Sequence, residues 1–413
     1  MVRKNHAGDA SIPQVPQVGL GGVRPRAAQY YELGVPGYEN PLIQTLGPLY
    51  SLEEIGLKMQ VVRPYSDEQR FQSNPQRLAN ISLLGLGYVP ISIQAEMGRK
   101  FGEVLRNGYV HRPLIKIRQE VGGKHLEPAL DHTPVISNTT FFGVSGMGKS
   151  RTMDRVLANY PQVWWHPEYR TLQVVWVRVE TPDDGSTKSL IRAVHRALDR
   201  VLGENVAREI ERKKYVRHDA MAELITRIES VHLGAIILDE LQHAKKSSKE
   251  ASDNLASFLV SFINEVRIPV VMIGTAECFD MLSVSFRAAR RSIGEIIFSC
   301  PPGPEFDHFV SSFFRYQYLR VETPLTEKLI AKFFVRSQGI LALAVVLYQL
   351  AQKRAIDCGD EVITEDLLDE IANEHFKICQ PVLDAIATRN ISQLKRASDM
   401  FSRQIGFLQE AVL

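Results

Sequence analysis

The sequence predicts an α/β fold: a parallel sheet covered by helices, with further helical segments before and after it. Three observations carry this reading. Short apolar runs rich in β-branched residues recur between about 134 and 300, at PVISNTTFFGV, TLQVVWVRV, GAIILDE, IPVVMIGT and GEIIFSC. Helix-patterned stretches such as LIRAVHRALDRVL and ASFLVSFINEV separate them. Strands that alternate with helices build parallel sheets, and strands buried on both faces read as nearly continuous apolar runs. After Cys300 the strand pattern stops.

Taken in order, residues 1–39 are rich in Pro, Gly and Gln with little apolar periodicity, and are expected to form a mobile arm. Residues 40–113 alternate short helical patterns with turns, as in NPLIQTLGPLYS, and predict a small helical N-terminal domain. Within it Ile93, Met97, Phe101 and Leu105 recur every fourth residue, on one helical stripe. Residues 114–303 form the α/β core. Residues 304–380 predict a helical lid, through FDHFVSSFFRYQYL, TEKLIAKFFVRSQG, ILALAVVLYQLAQKRAI and TEDLLDEIANEHF. Gly339 interrupts this series and Thr364 is placed to cap a helix. A C-terminal helical tail is expected over 381–413.

Composition narrows the class without naming a function. A hydrophobic fraction of 45% with 23% charged residues fits a soluble globular chain. No apolar run approaches the ~20 residues that a membrane span needs, and the first residues lack the apolar stretch of a signal peptide. No membrane partner is expected. Cys278, Cys300, Cys358 and Cys379 are scattered, which indicates neither a zinc site nor a disulfide framework and fits a cytoplasmic setting. With a net charge of only +2, a polyanionic partner would have to meet a local patch.

The chemistry begins at Gly143-Val144-Ser145-Gly146-Met147-Gly148-Lys149-Ser150, a full G-x-x-x-x-G-K-[ST] match between a strand-like NTTFFG and the helical RTMDRVLANY. Glycines there let backbone N–H groups turn inward around phosphates, and a helix starting near Gly148 adds its positive end. Lys149 is expected to reach the β- and γ-phosphates of ATP, Ser150 to coordinate Mg²⁺, and Arg151 to complete the loop. A buried strand ending in Asp239-Glu240 is costly unless its carboxylates serve an ion or a proton transfer. Asp239 is the expected metal partner, and Glu240 the group that polarises the attacking water. His243 reads as a turn residue rather than a base. Thr275, ending IPVVMIGT, is placed to hold the same water. Arg287, Arg290 and Arg291 cluster before the last strand, where Arg290 or Arg291 could offer a guanidinium to a neighbouring subunit's γ-phosphate.

These four elements, in this order, resemble the AAA+ superfamily. More narrowly, the chain resembles the TnsC/TniB family of ATP-dependent regulators of DNA transposition over about 40–400. The narrower likeness rests on NPLIQTLGPL, RNGYVHRP, VETPDDGSTKSL, LDELQH and SQGILALAVVLYQLAQKRAI. It implies an AAA+ P-loop core, a helical lid, and ATP-driven assembly of a homo-oligomeric ring or filament around double-stranded DNA. It further implies transposase subunits and a target-selection protein of the TniQ/TnsD type as partners, with disassembly on hydrolysis. The family's contacts with the DNA backbone correspond here to Lys188 and Arg192, with Lys213, Lys214 and Arg217 further on. The sequence departs from many AAA+ proteins in having no arginine just after Gly339. A replication-initiator or clamp-loader type ATPase, and a nucleotide-sensing signalling module without DNA, remain alternatives at this point.

Overall fold

The computed structural model describes residues 21–112, 114, 138–184, 186–212, 217–246, 249–276, 278, 295–297, 299–390, 392–394 and 401. In chain order the described elements begin with β1 (Arg26–Ala27) and four N-terminal helices: α1 (Pro41–Gln44), α2 (Leu52–Met59), α3 (Asn74–Ser82) and α4 (Ser92–Val110). The core follows with β2 (Thr139–Gly143), α5 (Lys149–Leu157), β3 (Val163–His166), β4 (Thr171–Val174), β5 (Trp176–Glu180), α6 (Thr187–Leu202), α7 (Val206–Arg212) and α8 (Arg217–Ser230). It continues through β6 (Ala235–Asp239), α9 (Lys249–Val266), β7 (Val270–Gly274) and β8 (Glu295–Ile297). Helices α10 (Pro304–Phe314), α11 (Glu327–Ser337), α12 (Leu341–Cys358), α13 (Glu365–His375) and α14 (Gln380–Ala387) complete the described chain.

The expected α/β class is the observed one. Five parallel strands pair in the order β5-β6-β7-β2-β8, and β2, β6 and β7 are buried along their whole lengths. This order fixes the site. All five strands point the same way, so their C-terminal ends share one edge, and β7 lies between β2 and β6 there. The loop after β2, the hydroxyl after β7 and the acid pair ending β6 therefore become neighbours. Gly143 is required where β2 leaves the sheet, because a Cβ there would stand 2.1 Å from the Ile297 carbonyl oxygen on β8.

The run TLQVVWVRV, expected as one strand, is divided at Val175. Its first half, β4, pairs antiparallel with β3 in a small second sheet, and its second half joins the main sheet. Strand β3, in VWWH, was not expected at all. It provides the edge on which β1 pairs in parallel. Of the arm expected over 1–39, residues 1–20 lie outside the described residues and residues 21–39 are tied to the core. Val23 donates to the Val201 carbonyl and Ala28 to that of Trp165, at 2.8 Å each. Tyr30 meets the buried His166 at 2.9 Å, and Gln173 links His166 to the Leu42 carbonyl.

The N-terminal helices share one apolar core with β2, α5 and the C-terminal helices, rather than forming a core of their own. Met97, Phe101 and Leu105 face it from the expected stripe of α4. Arg77 on α3 is fully buried, and its guanidinium is forked by Glu361, after α12, at 2.7 and 2.8 Å. A charge so placed is stable only with its partner in place. Thr364 caps α13 as expected, accepting from the Leu367 N–H at 3.1 Å. No single helix among the described residues is long and apolar enough to cross a membrane.

Candidate nucleotide site

The phosphate loop turns on Gly146 and Gly148, which adopt φ values of 84° and 78° in the left-handed region that favours glycine. Gly148 caps α5, whose first residue is Lys149, so the helix starts facing into the loop. Val144 and Met147 are buried in the core and hold the loop from below. Lys149 lies inside the loop, donating from Nζ to the Gly143 and Val144 carbonyls at 2.8 and 3.0 Å. Burial pulls its pKa down to about 8, an effect that Glu240, Asp239 and Cys278 partly offset. An ammonium held against desolvation in this way gains greatly from a polyanion placed opposite it.

Asp239 ends β6 and is almost wholly buried. One carboxylate oxygen accepts from the Ser150 hydroxyl at 3.0 Å and from the Glu240 N–H at 2.8 Å. The other takes the guanidinium of Arg178, on β5, which also reaches Asp154 on α5. Glu240 itself adopts φ 53°, a conformation that costs a non-glycine residue energy and concentrates at functional sites. The turn directs its side chain to the Gln242 amide, which bonds Oε2. The same Gln242 accepts the Thr275 N–H at 3.2 Å, tying the ends of β6 and β7 together. Thr275 Oγ1 is buried and has no hydrogen-bond partner among the described residues. His243 sits in the short helical turn Leu241–Lys246, with Nε2 3.8 Å from Glu240 and Nδ1 3.5 Å from Asp183.

Between these groups and the helices lies a cavity of about 1170 Å³. One wall is polar and comes from the loop, Asp239, Glu240 and Thr275. The other is largely apolar, with Val61 and Val89 from the N-terminal region and Phe309, Phe313, Val345 and Val346 from the lid. A phosphate chain fits the first wall and a flat base the second. Ser150 and Asp239 are hard oxygen donors side by side, and such a pair fits a magnesium ion. Arg151 lines the cavity, but its guanidinium is engaged with the Gly87 carbonyl at 2.7 Å and with the Tyr88 ring. That geometry makes it a link between α5 and the N-terminal helices.

Residues 137–282 match the family model described as an AAA domain. The chain carries an AAA domain. None of the curated proteins matches the chain significantly. Among solved structures, it is similar to the ORC1 protein of Aeropyrum pernix in complex with DNA, at 15% identity and a TM-score of 0.43, over 70% of this chain and 66% of that one. It is also similar to a Walker-type ATPase of Pyrococcus abyssi, at 13% identity and a TM-score of 0.34, over 63% of this chain and 71% of the other. The Drosophila ORC bound to AT-rich DNA and Cdc6 aligns at 9% identity and a TM-score of 0.29, over 88% of this chain and 55% of that chain. The chain thus spans about two thirds of the first of these proteins and about half of the last.

Of the predicted site residues, the structure brings together Gly143 to Ser150, Asp239, Glu240 and Thr275. Arg287, Arg290 and Arg291 lie outside the described residues, as do Lys213 and Lys214. Lys188 and Arg192 lie together on α6, away from the cavity, and Arg217 begins α8, with its guanidinium 4.7 Å from the Phe258 ring centroid. Sequence reasoning missed Arg178, Gln242 and Gln94. The signal for Arg178 was a lone cation inside the apolar run WVRVE. Gln94, buried on α4, donates to the Met147 carbonyl at 2.9 Å and so props the phosphate loop from the N-terminal helices. Nothing in its local sequence marks it.

Proposed function

We propose that this protein is an ATP-hydrolysing switch of the TnsC/TniB type, which assembles on double-stranded DNA and regulates transposition. The observation that carries the hydrolytic part is the meeting, at one sheet edge, of Lys149, the Ser150–Asp239 pair and the Glu240–Gln242–Thr275 group. In this reading Lys149 exchanges its two carbonyl partners for the β- and γ-phosphates of ATP. Ser150 and Asp239 hold Mg²⁺, which when bound neutralises charge on those phosphates. Gln242 fixes Oε2 of Glu240, so Oε1 is the oxygen that receives the proton of the attacking water. Thr275 Oγ1 is the second contact that orients that water. Arg290 or Arg291 completes the site from a neighbouring subunit.

The DNA part draws support from the stretches RNGYVHRP, VETPDDGSTKSL and LDELQH and from the basic edge of α6, with Lys188 and Arg192 meeting phosphates and Lys213, Lys214 and Arg217 beyond them. Transposase subunits and a TniQ/TnsD-type target selector are the partners this role requires. Electron microscopy of the purified protein with duplex DNA and a non-hydrolysable ATP analogue tests it. The expected result is ordered rings or filaments on the duplex that need the nucleotide. Absence of ordered assembly, or assembly indifferent to nucleotide, removes the reading.

A further inference from the structure

Helix α6 buries Leu190, Ile191, Val194 and Leu198 completely or nearly so against the sheet and its neighbouring helices. Its opposite edge carries Lys188, Arg192, Arg196 and Arg200, one cation every four residues. At 1.5 Å per residue the row advances about 6 Å per step and about 18 Å in all. A duplex presents one phosphate per ~3.4 Å of axis on each strand, and the winding backbone spaces neighbouring phosphates farther apart than that rise, so the row's step is comparable with their spacing along a groove edge. Only the first two of these residues were expected at a DNA interface.

Among the described residues, Glu211 faces this row from the next helix. Glu211 on α7 accepts from Arg196 at 2.6 Å and from Arg192 at 3.3 Å, with the same oxygen. Other acids near the row are engaged elsewhere: Asp199 and Glu204 bind Arg227, and Asp184 binds Ser189 and the Ser186 N–H at the start of α6. Arg227 in turn holds the buried His195, which fixes the floor beneath the row. The bonds from Arg196 and Arg192 draw the pKa of Glu211 down, so it stays charged at neutral pH.

We propose that Lys188, Arg192, Arg196 and Arg200 form one docking row for the phosphates of duplex DNA, and that Glu211 is its internal competitor. Glu211 holds the two middle guanidiniums side by side and yields them when a phosphate arrives. The partner gains prealigned cations, and the row is kept from binding weak anions. This rests on the DNA reading above and names the surface and the brake on it.

The test is a salt titration of ATP-dependent duplex binding. Arg196→Ala and Arg200→Ala should each reduce the slope of log affinity against log salt by roughly 0.9. Glu211→Gln should bind roughly three- to tenfold more tightly at 0.1 M salt, since exposed ion pairs of this kind are individually weak. That gain should vanish in an Arg192→Ala/Arg196→Ala background, because the competitor then has nothing to release. Glu211→Ala provides a second variant should the glutamine form fold poorly, with thermal melting as the check. Unchanged affinity in both Glu211 variants, or a gain that survives loss of the two arginines, overturns the proposal while the DNA reading stands. If the wild type binds no duplex, the DNA reading fails and takes this inference with it.

Discussion

The nucleotide pocket and the outer edge of α6 both concentrate charge, but under opposite conditions. In the pocket, Lys149 and Asp239 are nearly sealed from water, and each is held by two or three fixed partners. On α6, Lys188, Arg196 and Arg200 are exposed, and Arg196 pairs with the half-exposed Glu211. A buried charge that loses its partner keeps the full cost of desolvation. An exposed one falls back on water and salt. Single substitutions in the pocket should therefore act nearly all-or-none, whereas those on α6 should act in small, salt-dependent steps.

The sharpest break should come from Glu240→Gln. The amide keeps the shape of the side chain but cannot take a proton, so turnover should fall by roughly 10²- to 10⁴-fold with ATP binding nearly unchanged. Single-turnover hydrolysis and nucleotide binding, measured on the same sample, separate the two effects. Hydrolysis at the wild-type rate would dismiss Glu240 as the base.

Lys149→Ala should weaken ATP binding by roughly 10- to 100-fold, the cost of losing charged hydrogen bonds. The same residue gives a signature in protons. With its pKa near 8 before the phosphates arrive, Lys149 is mostly neutral at pH 9. A polyphosphate favours the ammonium and raises that pKa, so binding at pH 9 should take up most of a proton, and almost none at pH 6.5. Calorimetry in buffers of different ionisation enthalpy reads this uptake, which should be missing in Lys149→Ala. Proton release at pH 9 would reverse the assignment.

The smallest effect belongs to the exposed surface. Lys188→Ala should leave ATP affinity intact and weaken binding to all duplexes alike, with the salt slope reduced by roughly 0.9. Superimposable salt titrations would return Lys188 to the solvated face. A loss as large as that of Lys149→Ala would erase the contrast between the two regions.

The contrast also explains what the sequence discloses. The phosphate loop and the acid pair are legible because their chemistry demands particular residue types at fixed spacing, and β6 and β7 because burial on both faces demands apolar runs. Arg178 reaches the same site from a neighbouring strand, so its position carries no spacing rule, and nothing in LDELQH marks the Gln242 amide as the tie between Glu240 and Thr275. Strand β3 escaped notice because VWWH is only four residues long and lies between Pro161 and Pro167, which read as turn signals. The break at Val175 escaped because both halves of TLQVVWVRV favour strands, and only pairing decides that they join different sheets. The anchoring of 21–39 was hidden for a similar reason: β1 owes its two residues of pairing to an edge offered by β3, not to any propensity of its own. Glu211 was equally invisible, since it reaches Arg192 and Arg196 from 19 and 15 residues away.

At the base of the lid, the Ala342 N–H donates to the Gly146 carbonyl at 3.0 Å, while the Cys300 N–H donates to Gly339. The lid thus meets the phosphate loop through a main-chain bond, in a stretch where the sequence offers no arginine. Main-chain grips are insensitive to the identity of the side chain. Residue 342 is already alanine, so alanine scanning would pass over this donor, whereas Gly146 and Gly339 are bound to glycine by φ values of 84° and 74°. Proline at 342 would cut it, at a helix position where proline is otherwise well tolerated. Heredity guards such a coupling less by preserving letters than by preserving the path of the backbone.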